Sequence, residues 1–345
     1  MRQFVVRADV TEAAGLGEPA EMVATVCLPD DVSVVPSVVA FGWPGGGYSR
    51  GYFTFDMPGS SGGGEAGFHT SRGWIVVAVD HLNVGDSTHP SDPSKLNFRN
   101  LAATSHALVE SVLERLAAGT LVDGLAPVVD PLRIAIGQSM GGATTVLTEG
   151  TFPTYDGVAI LGWSAYHTLI PAPPGTKLGR RVFVPRGTNI ADIDPEIFER
   201  TMPEMAYDER GYPLCTPAFH YDDVPADVVA RDMTHYPTRD GNLPEWGADS
   251  MPPCAMTMMS PGSMSTEAAS IQVPVFVGAG ERDTVPFPKN EVPLYQQSPD
   301  ITVFVCDTMA HMHNFASTRE LMWARVHSWA DTVGVMRAAR RAFAD

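Results

Sequence analysis

The stretch LRIAIGQSMGG, residues 132–142, decides how the rest of the chain is read. Its first five residues are apolar or β-branched at nearly every position, as expected of a strand buried on both faces. The residues after it, GGATTVLTEG, carry a helical pattern. Between strand and helix stands Gly137-Gln138-Ser139-Met140-Gly141, a G-x-S-x-G turn. Such a turn lifts a serine hydroxyl above the edge of a sheet. The two glycines remove side chains that would collide there. Ser139 is therefore the candidate nucleophile.

A serine hydroxyl attacks poorly until a base takes its proton. The stretch CDTMAHMHNF, residues 306–315, follows the apolar run ITVFV and offers two histidines, His311 and His313. His311 comes earlier in the turn and is preferred. His313 is expected to pack against the lid or to begin the final helix. The base in turn needs an acid to hold its tautomer. FVGAGERDTVP, residues 276–286, reads as a strand ending in a glycine-rich loop that presents Glu281 and Asp283. Asp283 is preferred. The strand before it ends LGWSAYHT and offers no carboxylate. An anion forming on the substrate would need two backbone donors. One is the N–H of Met140. The other is expected from Gly46 or Gly47 in the loop FGWPGGGYSRGYF, residues 41–53. No G-K-[ST] follows these glycines, so a phosphate loop is not indicated.

Further apolar runs at 2–7, 22–28, 37–41, 74–79, 157–161, 273–277 and 301–305 alternate with helical spacing at 97–118, 141–149 and 314–342. In the first helix Leu101, Leu108, Val112 and Leu116 recur at helical intervals. This rhythm predicts an α/β chain with a mostly parallel eight-stranded sheet flanked by helices. Residues 165–270 differ. They are rich in Pro, Met and acidic residues, with PAPPG at 171–175 and MPPC at 251–254. A structureless loop of that length is improbable in a compact domain. The reading is a core of 1–164 and 271–345, with 165–270 inserted as a helical lid. Met251, Met256, Met258, Met259 and Met264, near Trp246, suit a bulky apolar ligand or simply pack the lid. Tyr48, Trp163 and His167, in loops after strands, are candidate substrate contacts.

The formal charge of −17 leaves no basic excess for nucleic acid or an anionic membrane. Cys27, Cys215, Cys254 and Cys306 are widely spaced and suggest neither a disulfide framework nor a metal cluster. There is no signal-like N-terminus and no apolar run of about 20 residues. A cytoplasmic location is the default expectation, and a homo-oligomer stays open.

Taken together, PGGGYSRGY (44–52), VDHLNVGDSTHP (79–90), IGQSMGG (136–142), GAGERDTVP (278–286) and AHMHNF (310–315) resemble the α/β-hydrolase fold serine esterases and lipases. They cover most of the chain outside 165–270 and occur in that family's order. Two positions depart from it. Pro44 stands where the lipase-type HGGG loop has histidine, and His311 follows Met-Ala where glycine is usual. The resemblance implies carboxylic ester hydrolysis through an acyl-enzyme, with a small-molecule ester or lactone as substrate and no metal or organic cofactor. Amide or thioester cleavage by the same residues, acyl transfer, and a non-catalytic receptor are the alternatives. An aspartate nucleophile, as dehalogenases and epoxide hydrolases use, is absent from the turn.

Overall fold

The computed structural model describes residues 1–31, 35–177 and 181–344. Eight strands form one sheet in the order β1-β2-β4-β3-β5-β6-β7-β8. They are β1 (Arg2–Asp9), β2 (Glu21–Leu28), β3 (Val38–Trp43), β4 (Ile75–Val79), β5 (Leu132–Gln138), β6 (Gly157–Leu161), β7 (Val275–Arg282) and β8 (Ile301–Ala310). β2 runs antiparallel to both its neighbours, and β3 to β8 are parallel. β4 and β6 are buried at every residue, which is why they read as unbroken apolar runs and not as alternating patterns.

The helices are α1 (Thr11–Ala14), α2 (Gly64–Thr70), α3 (Phe98–Ala117), α4 (Met140–Thr151), α5 (Pro195–Thr201), α6 (Thr216–Phe219), α7 (Ala226–Met233), α8 (Ala255–Met258), α9 (Ser265–Ser270) and α10 (Arg319–Ala344). α1, α3, α4 and α9 make one layer on the sheet, and α2 and α10 the other. The long α3 starts at a reciprocal cap. Asn97 accepts from the N–H groups of Arg99 and Asn100, while Asn100 accepts from the N–H of Asn97. Such a cap contributes about 1 kcal/mol. None of these helices is long and apolar enough to cross a membrane.

The chain passes from β3 outward to β4 and then crosses back to β5 on the other side of β3. The switch point thus lies between β3 and β5, where open parallel sheets place their ligands. The loops after β3, β5, β6, β7 and β8 share that carboxyl edge.

Two strands run further than the sequence suggests. β7 continues through the GAG segment to Arg282, and β8 continues to Ala310, with a bulge between Gly280 and Arg282. The glycines mark close approach, not a loop. A Cβ on Gly280 would sit 2.5 Å from the carbonyl oxygen of Met309 on the neighbouring strand. The final helix begins at Arg319 and not at Asn314, because His313–Phe315 form a 3-10 turn. Between β6 and β7, residues 162–274 contain α5 to α9 and, among the described residues, no sheet strand.

Candidate active site

The turn at Ser139 is strained as the motif requires. Ser139 has φ 54° and ψ −120°, a region that costs a non-glycine residue roughly 1–3 kcal/mol. Its N–H donates to Leu161 of β6, and its carbonyl accepts from Ala143 in α4, so both neighbours hold the turn. At Gly141 a Cβ would lie 1.9 Å from the carbonyl oxygen of Trp43. Only glycine lets α4 approach the end of β3 this closely.

Three elements converge on the hydroxyl. His311, just past β8, lies with Nε2 2.8 Å from Ser139 Oγ and Nδ1 2.7 Å from Asp283 Oδ1. His311 and Asp283 are buried, and Ser139 is half-buried. Asp283 also accepts from the N–H of Gly280 at 2.8 Å and of Thr284 at 2.6 Å. Burial would push the Asp283 carboxyl up. The charges of His311 and His313, and the bonds those rings donate, hold it well below the usual carboxylate range. An ionised Asp283 fixes Nδ1–H on His311 and leaves the Nε2 lone pair facing Ser139.

His313 occupies a place that sequence spacing does not reveal. Its Nε2 is 2.7 Å from Asp283 Oδ2, so the two histidines share one carboxylate. Glu281, the other acid in the sequence, points elsewhere. It accepts from the N–H of Thr308 at 2.9 Å and from Tyr221 at 3.2 Å.

Gly45, Gly46 and Met140 line the cavity beside Ser139; Gly47 stands one residue behind. The N–H groups of Gly45, Gly46, Gly47 and Met140 donate to no other described residue. The loop is braced from below. The buried ring of His81, whose pKa burial lowers to about 4, stays neutral and donates from Nε2 to the Pro44 carbonyl at 3.0 Å. Arg50 of the same loop pairs with the buried Asp80 at the end of β4. These contacts account for the VDH and YSRGY segments of the sequence.

The cavity at Ser139 has a volume of about 1060 Å³. Its walls are mostly apolar, with Met140, Met205, Met251, Met256, Met258 and Met259 prominent. Tyr48 and Trp163 stand on its wall. His167 does not. Its ring packs 5.9 Å from that of Phe183 and stays off the wall. Nor does Trp246, which is buried behind the glycine loop and donates to Asp232 at 2.8 Å. Met264 instead lies with its sulfur 3.1 Å from the indole nitrogen of Trp163.

No family model and no curated protein matches the sequence. Solved structures do. A proline iminopeptidase from Mycobacterium smegmatis superposes with a TM-score of 0.58 at 15% identity, over 97% of this chain and 100% of that one. The chain has the α/β-hydrolase fold. A lipase in its open form is similar at 17% identity, with a TM-score of 0.56 over 96% of this chain and 99% of the other. An N-acyl homoserine lactonase gives 13% identity and a TM-score of 0.52, covering 95% and 97%. Their differing reactions leave the chemistry of this α/β-hydrolase fold chain to its own residues.

Proposed function

We propose that the protein is a serine hydrolase that cleaves a carboxylic ester bearing a bulky hydrophobic group. The observation that carries this reading is the continuous chain Ser139 Oγ–His311 Nε2 at 2.8 Å and His311 Nδ1–Asp283 Oδ1 at 2.7 Å, opening on a large apolar cavity.

Ser139 Oγ attacks the ester carbonyl carbon while its proton passes to His311 Nε2. The carbonyl oxygen becomes an oxyanion facing the N–H of Met140 and that of Gly46 or Gly47. The imidazolium, held by ionised Asp283, then gives its proton to the leaving alkoxide, and an acyl-Ser139 ester remains. Water loses a proton to the same Nε2, attacks the acyl carbon, and releases the acid with Ser139 restored. In enzymes of this design preorganised donors at the oxyanion supply a large share of the rate. Residues 165–270 act as a lid in this reading, and their methionines adapt the cavity to a long or branched apolar group. Lactone, amide and thioester carbonyls would meet the same residues.

The test is hydrolysis of p-nitrophenyl acetate, butyrate and octanoate by wild type and Ser139→Ala. Loss of at least about a thousandfold in kcat is expected, since binding and the oxyanion donors persist without the nucleophile. Wild-type inactivity on all three would favour the receptor reading.

A further inference from the structure

The inserted segment is bonded into the reacting centre at more points than a removable cover requires. Behind the glycine loop lies a buried polar knot centred on Asp232, at the end of α7. Asp232 is fully buried. Oδ1 accepts from Arg239 Nη2 and Trp246 Nε1, each at 2.8 Å. Oδ2 accepts from Tyr48 Oη at 2.7 Å and lies 2.8 Å from His220 Nε2. Four partners on one carboxylate satisfy the condition under which a charge can be kept inside a protein.

This knot reaches the glycine loop through its carbonyl groups. Arg239 Nη1 donates to the Gly47 carbonyl at 3.0 Å, and the N–H of Ala248 donates to the same oxygen at 3.0 Å. The Tyr236 hydroxyl donates to the carbonyl of Gly46. The Tyr236 ring leaves no room for a side chain at Gly47, where φ is +76° and a Cβ would lie 2.7 Å from the ring. In a planar trans peptide the C=O of one residue and the N–H of the next point opposite ways. Holding the Gly46 carbonyl therefore aims the Gly47 N–H. The bond from Tyr48 N–H to the Gly45 carbonyl, at 3.2 Å, does the same for the Gly46 N–H. Tyr48 is itself tied to Asp232. On the opposite side of Ser139, α6 of the same insertion accepts from the base loop. The N–H groups of His311 and Met312 donate to Ala218 and Phe219 at 2.9 and 3.0 Å.

We propose that residues 216–248 are a fixed buttress of the active centre and not a moving part of the lid, with Tyr236 and Arg239 as positioning residues that orient the peptide N–H groups of the glycine loop toward the oxyanion. The inference rests on the serine hydrolase reading given above. It divides the insertion in two: a strut at 216–248 that completes the site, and the segments on either side of it, whose Met202, Met205, Met251, Met256, Met258 and Met259 line the cavity.

The experiment compares Tyr236→Phe and Arg239→Lys with wild type on p-nitrophenyl butyrate, and measures inhibition by butylboronic acid. A tetrahedral boronate on Ser139 places an oxygen where the oxyanion forms. Tyr236→Phe keeps the ring and removes only the donor. Its kcat is expected to fall about 10- to 100-fold with KM within about threefold of wild type, since misplacing a reacting group by about 1 Å costs that much. The boronate inhibition constant is expected to rise by a similar factor. Arg239→Lys, which keeps the charge but loses the fork, is expected to act in the same direction. Far-UV circular dichroism and thermal melting establish that each variant is folded; should Arg239→Lys fail to fold, Tyr236→Phe decides alone. The proposal is overturned if folded Tyr236→Phe keeps full kcat and boronate affinity, or changes KM alone. Full activity of Ser139→Ala in the same assay would instead sink the hydrolase reading.

Discussion

Gly162 offers a test of the base–acid contact that touches neither residue. It follows β6 with φ +62°, and its N–H donates to Gly278 while its carbonyl accepts from Thr284. A Cβ placed there would lie 2.9 Å from His311 Nδ1, 3.0 Å from His311 Cε1 and 3.3 Å from Asp283 Oδ1. Carbon makes comfortable contact at roughly 3.5 Å, so the imidazole must retreat by about half an ångström. That is about the tolerance within which a reacting constellation must be held. Gly162→Ala is expected to lower kcat about 10- to 100-fold. The left-handed backbone adds a stability loss of about 1–2 kcal/mol. A second variant separates the two effects. Gly124→Ala meets the same backbone cost at φ +77°, with nothing within 4 Å of its new Cβ. Steady-state kinetics on p-nitrophenyl butyrate and thermal melting of both variants are the assays. Both should lose similar stability, and only Gly162→Ala should lose kcat. If Gly162→Ala melts like the control and turns over like wild type, the contact between His311 and Asp283 does not limit the reaction.

Asp283→Asn should cut kcat at pH 7 by about 10³- to 10⁴-fold, because the acid no longer fixes the histidine tautomer; pre-steady-state acylation rates would check it. Met258→Trp, on the cavity wall, should lower the octanoate-to-acetate ratio of kcat/KM about tenfold by shortening the apolar space. The third concerns acid stability. Burial alone would raise the Asp232 carboxyl, but the bonds and charges of His220 and Arg239, with the Tyr48 hydroxyl, hold it at about 2 against an ordinary value of 3.8. A depressed carboxylate contributes stability that is complete above its unfolded pKa, near 4, and is lost as pH falls through about 2. The contribution is about 2 kcal/mol. Denaturant midpoints at pH 7 and pH 3 should therefore differ more in wild type than in Asp232→Asn, and equal differences would refute the assignment.

Much of this architecture is legible in the chain because parallel strands covered on both faces read as continuous β-branched runs. All eight strands lie where those runs lie, and the turn at Ser139 is announced by its glycines. The grouping of Ser139, Asp283 and His311 follows from one rule, that loops after parallel strands share an edge. What the sequence concealed depends on pairing between distant segments. Gly278 and Gly280 read as a loop, yet a Cβ at Gly280 would meet β8 and one at Gly278 would meet Leu161 of β6 and Met322 of α10. His313 and His311 are alike in sequence; in the fold His311 bridges Asp283 Oδ1 and Ser139 Oγ, while His313 meets Asp283 Oδ2. His220, Asp232, Arg239 and Trp246 carry no motif. They are ordinary polar residues in an irregular stretch, and their burial becomes visible only when α7 folds behind the glycine loop. His167 reads as a substrate contact by its place after β6, but the chain turns it toward Phe183.

The central claim is that Ser139 is an activated nucleophile. Reaction with a fluorophosphonate, followed by peptide mapping in wild type and Ser139→Ala, measures this directly. The account predicts a single adduct on the peptide containing Ser139, and none in the variant. No adduct on folded wild type, or an adduct on another residue that persists in Ser139→Ala, would contradict it.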